Sequence, residues 1–135
     1  MDLSRDYICG LVDAAGSFTF TTDSQRSSIP TFELRMGAKD VKLIEGVRDW
    51  LGLKNKIYAY YPEKDEFSKR GQQAMLIIRD VGSLKNIIVP TFYNRLVGYK
   101  GEQFNNWLEK IGTDPLVPDS YKIIYRLYRL GFYGK

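Results

Sequence analysis

Ile8-Cys9-Gly10-Leu11-Val12-Asp13-Ala14-Ala15-Gly16 runs directly into Ser17-Phe18-Thr19-Phe20-Thr21. The first part is apolar from Tyr7 to Val12, more so than an ordinary surface helix, and Gly16 suits a departure from helical geometry. Leu3 to Asp13 therefore reads as a helix that ends at Gly16. Ser17 to Thr21 alternates polar and aromatic residues, the pattern of a strand with one buried and one polar face.

Outward from this stretch the pattern continues. Asp23 to Pro30 is polar turn chemistry, and Thr31 to Met36 alternates again with Phe32, Leu34 and Met36 inward. Asp40 reads as the N-cap of a helix over Val41 to Leu51, with Leu43, Ile44, Val47, Trp50 and Leu51 at helical spacing and Gly52 as its stop. Lys54 to Tyr61 reads as a third strand, Pro62 to Gly71 as a charged loop, and Gln72 to Arg79 as a fourth strand. Val81 to Val89 reads as a short helix ended by Pro90. Tyr99 to Ile111 is a further helix closed by Gly112, and Ser120 to Leu130 a last one, with Lys122, Arg126 and Arg129 on one face.

Two hairpins interleaved with helices predict an α+β fold: a four-stranded antiparallel sheet with helices on one face. The other face would carry Ser17, Thr19, Thr21, Thr31, Glu33, Arg35, Lys56, Tyr58, Tyr60, Gln73, Met75 and Ile77. Such a face is either simply solvated or a surface that reads base edges, since a β-ribbon fits the major groove of DNA.

At 135 residues, with 44% hydrophobic and 27% charged, the chain is expected to be one folded domain, with 113–135 as a C-terminal helical extension. The net charge of +4 permits a polyanionic partner without demanding one. There is no histidine, which excludes Ser-His-Asp and Cys-His nucleophiles, His-ligated zinc and a histidine general base. The lone Cys9 excludes an internal disulfide. No apolar run reaches membrane-spanning length, and Met1 to Asp6 lacks a signal peptide's regions. An intracellular location is expected, with organelle and prokaryotic cytoplasm both open.

The stretch Ile8 to Gly16, followed by Ser17-Phe18, closely resembles the LAGLIDADG signature of homing endonucleases. Gly10, Leu11, Asp13, Ala14 and Gly16 match it outright; Ile8 and Val12 are conservative, and Cys9 is small where a small residue is usual. Ala15 departs from it, because the family has Asp or Glu there. The resemblance continues through Phe32-Glu33-Leu34 to Lys39-Asp40 and Leu43-Ile44, and through Leu96-Val97-Gly98-Tyr99-Lys100 to Gln103-Phe104. It implies an αββαββα fold with a saddle-shaped sheet.

It also implies a homodimer. Two such helices pack across a twofold axis, here through Tyr7, Cys9, Gly10, Asp13 and Ala14, and the DNA target is then near-palindromic. Family members, often intron-encoded, hydrolyse both strands of double-stranded DNA with a divalent ion. The ion is usually Mg²⁺, with Ca²⁺ or Mn²⁺ as substitutes, and it is held at the ends of the two motif helices.

The metal-binding acid belongs at Ala15, where a methyl group cannot bind a cation. The carbonyl of Ala14 could still face the metal, but neutral oxygens alone hold Mg²⁺ weakly. Asp13 occupies a position that the family associates with the helix end. Two readings of Ala15 stand: an inactivating change made in an active enzyme, or a natural loss that leaves a DNA-binding regulator or an intron maturase gripping RNA. Lys100 matches the family's basic residue near the scissile phosphate, where it would stabilise transition-state charge or position water. Gln103 would support the same site, and Met36 falls near a position that often holds water.

Phosphate contacts are expected from Gln25 and Arg26 in the first hairpin loop and from Lys64, Lys69 and Arg70 in the second. Base-edge readout is expected from Thr19, Thr21, Glu33, Arg35, Lys56, Tyr58, Tyr60, Gln73, Met75 and Ile77.

Overall fold

Ser4 sets the start of the first helix: its side chain accepts the Tyr7 amide at 3.1 Å and satisfies a donor that the first turn leaves free. A computed structural model of the chain describes residues 2–61 and 71–134. Helix α1 is Arg5–Ala15, two residues longer at its end than the sequence pattern predicts. Strands β1 (Gly16–Thr22) and β2 (Ser28–Gly37) form the first hairpin. After a 3₁₀ turn, Ala38–Asp40, comes α2 (Val41–Trp50), then β3 (Ile57–Tyr60) and β4 (Gln73–Ile78). Helix α3 covers 81–92, α4 is Tyr99–Thr113 and α5 is Lys122–Arg129. The fold is α+β.

The strands make one antiparallel sheet in the order β1-β2-β4-β3. The period of two holds across it. Phe18, Phe32, Leu34, Ala74, Leu76 and Ile78 are buried beneath the helices, while Ser17, Glu33, Arg35, Tyr58 and Met75 keep some exposure on the other face. Thr31, expected on the solvent face, is wholly buried: its hydroxyl donates to Ile29 O at 2.8 Å and meets the Thr21 hydroxyl at 2.9 Å.

The core centres on Phe18, whose ring lies 4.8–6.0 Å from those of Phe32, Phe92, Phe104 and Trp107. Each such ring contributes about 1.5–3 kcal/mol by burial.

Several boundaries differ from expectation. The first hairpin loop is shorter, because the Asp23 carboxylate accepts the Gln25 and Ser27 amides at 3.0 and 2.8 Å and closes the turn there. Pro30 then lies inside β2 opposite Phe20, beyond the residues that pair with β4, where a missing N–H costs nothing. Asp40 precedes α2 but its side chain caps no amide, whereas Gly52 ends that helix region with φ +76° as anticipated. Helix α4 runs through Gly112 to Thr113, and α5 starts at Lys122 after a 3₁₀ turn, Asp119–Tyr121.

Pro90 does not end α3. The helix passes from an α-turn, Val81–Ser83, into a π-helical turn, Leu84–Ile88, and back to α-helix over Val89–Phe92. The Val89 amide reaches back five residues to Leu84 O. This shift leaves Lys85 O facing the position of the amide that Pro90 lacks. Tyr133 supplies the donor instead, its hydroxyl lying 3.1 Å from Lys85 O. The far end of the chain thus repairs the helix.

The C-terminal region is built into the core. Val117 and Ile124 are buried, Tyr121 Oη donates to Arg79 O at 2.6 Å, and the Ser28 amide donates to Leu116 O at 2.9 Å. Lys122, expected on a basic solvent face, instead donates Nζ to Ile111 O and Asp114 O, both at 2.8 Å, and caps the end of α4. Arg129 pairs with Glu109 at 3.6 Å, while Arg126 stays exposed. Gly112 lies directly under the Tyr125 ring, so that a Cβ there would run into it.

Two tests follow from this packing. Gly112→Ala should lower stability by about 1–3 kcal/mol in urea denaturation, the overpacking outweighing the roughly 1 kcal/mol of helix propensity gained. Burial raises the Tyr133 phenol to about 12, so the unfolded chain loses that proton at lower pH than the folded one. Stability should therefore fall as pH rises from the ordinary tyrosine value of 10 toward 12. Tyr133→Phe should lose about 1 kcal/mol at neutral pH and show a shallower alkaline fall.

Candidate functional site

The end of α1, the start of β1, the middle of β2 and the start of α4 converge on one concavity of about 410 Å³. It is lined by Ala14, Ala15, Gly16, Ser17, Glu33, Arg35 and Lys100. Each arrives there for a local reason. Gly16 lets the chain pass from helix to strand in one step, because a Cβ on it would lie 2.7 Å from Val12 Cγ1 and 3.0 Å from Val12 O. Ser17 and Glu33 are cross-strand partners on the solvent face, and Arg35 is two residues further along the same face. Lys100 is the second residue of α4.

Asp13 fixes how α4 meets α1. Its carboxylate accepts the Val97 amide at 3.0 Å and the Gly98 amide at 3.1 Å. Gly98 precedes α4, so the clasp holds the helix start and Lys100 against the end of the motif helix. Gln103, one turn on, accepts the Phe18 amide at 2.8 Å on its Oε1. Trp107 Nε1 donates to Thr19 O at 2.7 Å. Gln103 thus ties α4 to the outer edge of β1 and is absent from the lining of the concavity; Met36 is also absent from it. Ser17 lines the concavity without having been singled out from the sequence; its place in the alternating face next to Gly16 was the available signal. The Asp13 clasp had none, since its partners are backbone amides more than eighty residues away.

The electrostatics of the concavity are cationic rather than anionic. Glu33 Oε2 is paired with Arg35 Nη2 at 3.3 Å, and among the described residues Lys100 has no acidic partner. Ala15 offers only a methyl group at the position where the resemblance puts a carboxylate. Both oxygens of Asp13 are taken by amides. Among the described residues there is no group of three or more His, Cys, Asp or Glu side chains that could hold a metal ion. Mg²⁺ is usually held through one or two carboxylates, and the one carboxylate in the lining, Glu33, is paired with Arg35. The concavity as it stands does not fit Mg²⁺.

Glu33 and Arg35 also belong to the open sheet face. Arg35 lies 5.9 Å from the Tyr60 ring centroid and Lys56 Nζ 5.6 Å from that of Tyr58. Across the face, Arg35 neighbours Met75, which neighbours Tyr58, while Gln73 faces Tyr60. Tyr58 is about half exposed, at 49%. Thr19, Gln73, Met75 and Ile77 are partly exposed, whereas the Thr21 hydroxyl is engaged with Thr31. Gln25 and Arg26 are exposed at the tip of the first hairpin, with Arg26 held at φ +64° by the turn. Lys64, Lys69 and Arg70 lie outside the described residues.

Helix α1 has a clear outer face. Tyr7 is 50% exposed, Gly10 has nothing within 4 Å of where a Cβ would stand, and Ala14 is exposed. Their spacing puts them on one side of the helix. Cys9, expected on that side, is buried with Ile8 and Val12 in the core.

No protein-family model matches the sequence, and no curated relative does. Solved structures match in fold. The meganuclease I-SmaMI bound to uncleavable DNA superposes with a TM-score of 0.65 at 21% identity, covering 94% of this chain and 45% of that one. The LAGLIDADG homing endonuclease I-LtrWI bound to target DNA gives 0.65 at 26% identity, covering 90% and 41%. The LAGLIDADG homing endonuclease I-GzeII in complex with its DNA target gives 0.64 at 20%, covering 94% and 43%. The chain thus spans less than half the length of each.

The clasp is directly testable. Asp13→Ala should cost about 1 kcal/mol in urea denaturation, because water partly replaces exposed acceptors, and Asp13→Asn should cost less. Amide exchange should show Val97 and Gly98 losing protection in the alanine variant.

Proposed function

We propose that this chain, which has the LAGLIDADG homing-endonuclease fold, binds double-stranded DNA on its open sheet face and does not cut it as it stands. The observation that carries this reading is that two surfaces share residues. Glu33 and Arg35 lie both on the polar sheet face and in the concavity at the end of α1. A duplex laid along the sheet would therefore bring its backbone to Ala15 and Lys100.

The chemistry of the face suits the major groove. Arg35, Gln73 and Glu33 carry the donor and acceptor types that read base edges, and Met75 and Ile77 offer apolar contact for a thymine methyl. Arg26 and Gln25 on the protruding first loop suit phosphate contact, which gives salt-dependent affinity without sequence information. The Tyr58 and Tyr60 rings stiffen the neighbouring cations Lys56 and Arg35. Duplex RNA is disfavoured, because the deep, narrow major groove of an A-form helix does not admit a sheet.

A second unit completes the arrangement. The small-residue outer face of α1 lets another such helix approach closely at Gly10 and Ala14. Pairing there sets two concavities side by side. A homodimer reads a near-palindromic site.

Hydrolysis stops at Ala15. In the active form of this design an acid at that position would hold Mg²⁺, which polarises the phosphate. Lys100 remains in place to neutralise charge on the phosphate oxygens.

The test begins with a duplex recovered by selection from a randomised library. The chain should bind it with an affinity that falls steeply with salt. Ala15→Asp should bind the same duplex and cut both strands when Mg²⁺ is supplied. Absence of salt-dependent duplex binding would overturn the DNA reading. A variant that binds tightly yet never cuts would overturn the endonuclease ancestry of the site.

A further inference from the structure

We infer that the concavity at the end of α1 takes a DNA backbone phosphate directly on Lys100, with no divalent cation between protein and DNA, so that DNA affinity is independent of Mg²⁺ and Ca²⁺. This rests on the DNA-binding reading above and goes beyond it in naming what occupies the metal's place.

The sign of the charge selects the occupant. The charged residues that line the concavity are Glu33, Arg35 and Lys100. Glu33 and Arg35 neutralise each other at 3.3 Å, which leaves the Lys100 ammonium uncompensated among the described residues. Asp13, the other carboxylate at the end of α1, keeps its charge but lies outside the lining, its oxygens turned to the Val97 and Gly98 amides. A dication entering here meets a lining of net charge +1, whose one carboxylate, Glu33, already pairs with Arg35. A phosphodiester meets an opposite charge.

The helix ends do not reverse this. The last turn of α1 brings roughly half a negative charge and the first turn of α4 roughly half a positive one. Ala15–Gly16 and Tyr99–Lys100 are the termini concerned, so the two largely offset. The full unit charge on Lys100 decides.

Position supports the same occupant. The Asp13 clasp leaves one residue, Tyr99, between Gly98 and Lys100, so the stem of the lysine starts from a fixed point. The Gly98 N-cap offers no side chain to the helix start. Lys100 is the second residue of α4, so its stem leaves from the positive end of that helix.

The experiment uses the full chain and the selected duplex at constant ionic strength. Binding is measured in EDTA, in Mg²⁺ and in Ca²⁺. The dissociation constant should be the same in all three, and a tightening of about tenfold or more with either ion would overturn the inference. Lys100→Gln should flatten the plot of log affinity against log salt by about 0.9 for each phosphate left without a neutralising cation, and Lys100→Arg should restore it. An unchanged slope in Lys100→Gln, with a melting temperature equal to the parent's, would also overturn it. Failure of the parent chain to bind duplex DNA at all is a different result and removes the DNA reading itself.

Discussion

Helix α1 becomes strand β1 without a connecting residue, and the absence of a side chain at position 16 permits it. The Gly16 backbone packs directly on Val12, whose amide-to-carbonyl ladder it also closes. A linker of even a few residues would swing the sheet away from the helix end. Ser17, Glu33 and Arg35 would then no longer share a concavity with Ala15. The direct join fixes the sheet register relative to α1, and Asp13 then fixes α4 relative to both. Three elements distant in sequence meet through one glycine and one carboxylate.

The sign of the pocket is set by very few side chains. The helix end, the flanking sheet face and Lys100 meet in one concavity. With a methyl group at position 15, the carboxylates that remain are each satisfied by another partner. The balance of the lining then favours an anion over a cation. The core itself runs through Ile8, Val12 and the aromatic cluster around Phe18, with Ala15 partly buried against it.

Much of this was legible in the sequence, because two periodicities and a few terminators carry it. The polar–aromatic alternation of Ser17 to Thr21 and the alternation after Thr31 report a half-buried sheet, and burial follows that pattern at Phe18, Phe32 and Leu34. The motif Ile8 to Gly16 pointed to the fold that the solved structures share, and to the concavity holding Ala15 and Lys100. What was not legible depends on long-range partners. Pro90 reads locally as a helix stop, but a π-helical turn and the Tyr133 hydroxyl accommodate it. Lys122 reads as a solvated cation, but three-dimensional proximity makes it a helix cap. Cys9 reads as a contact residue by its size, whereas the helical phase of its neighbours Ile8 and Val12 turns it inward. Gln103 reads as a site residue by its spacing from Lys100, whereas its carbonyl oxygen is drawn to a strand-edge amide.

The bond from Gln103 to the strand edge limits how this sheet can grow. As the terminal strand, β1 would normally leave amides and carbonyls open to a strand from another molecule. Gln103 already occupies the Phe18 amide. A neighbouring copy therefore cannot extend the sheet across that border without first evicting the Gln103 side chain.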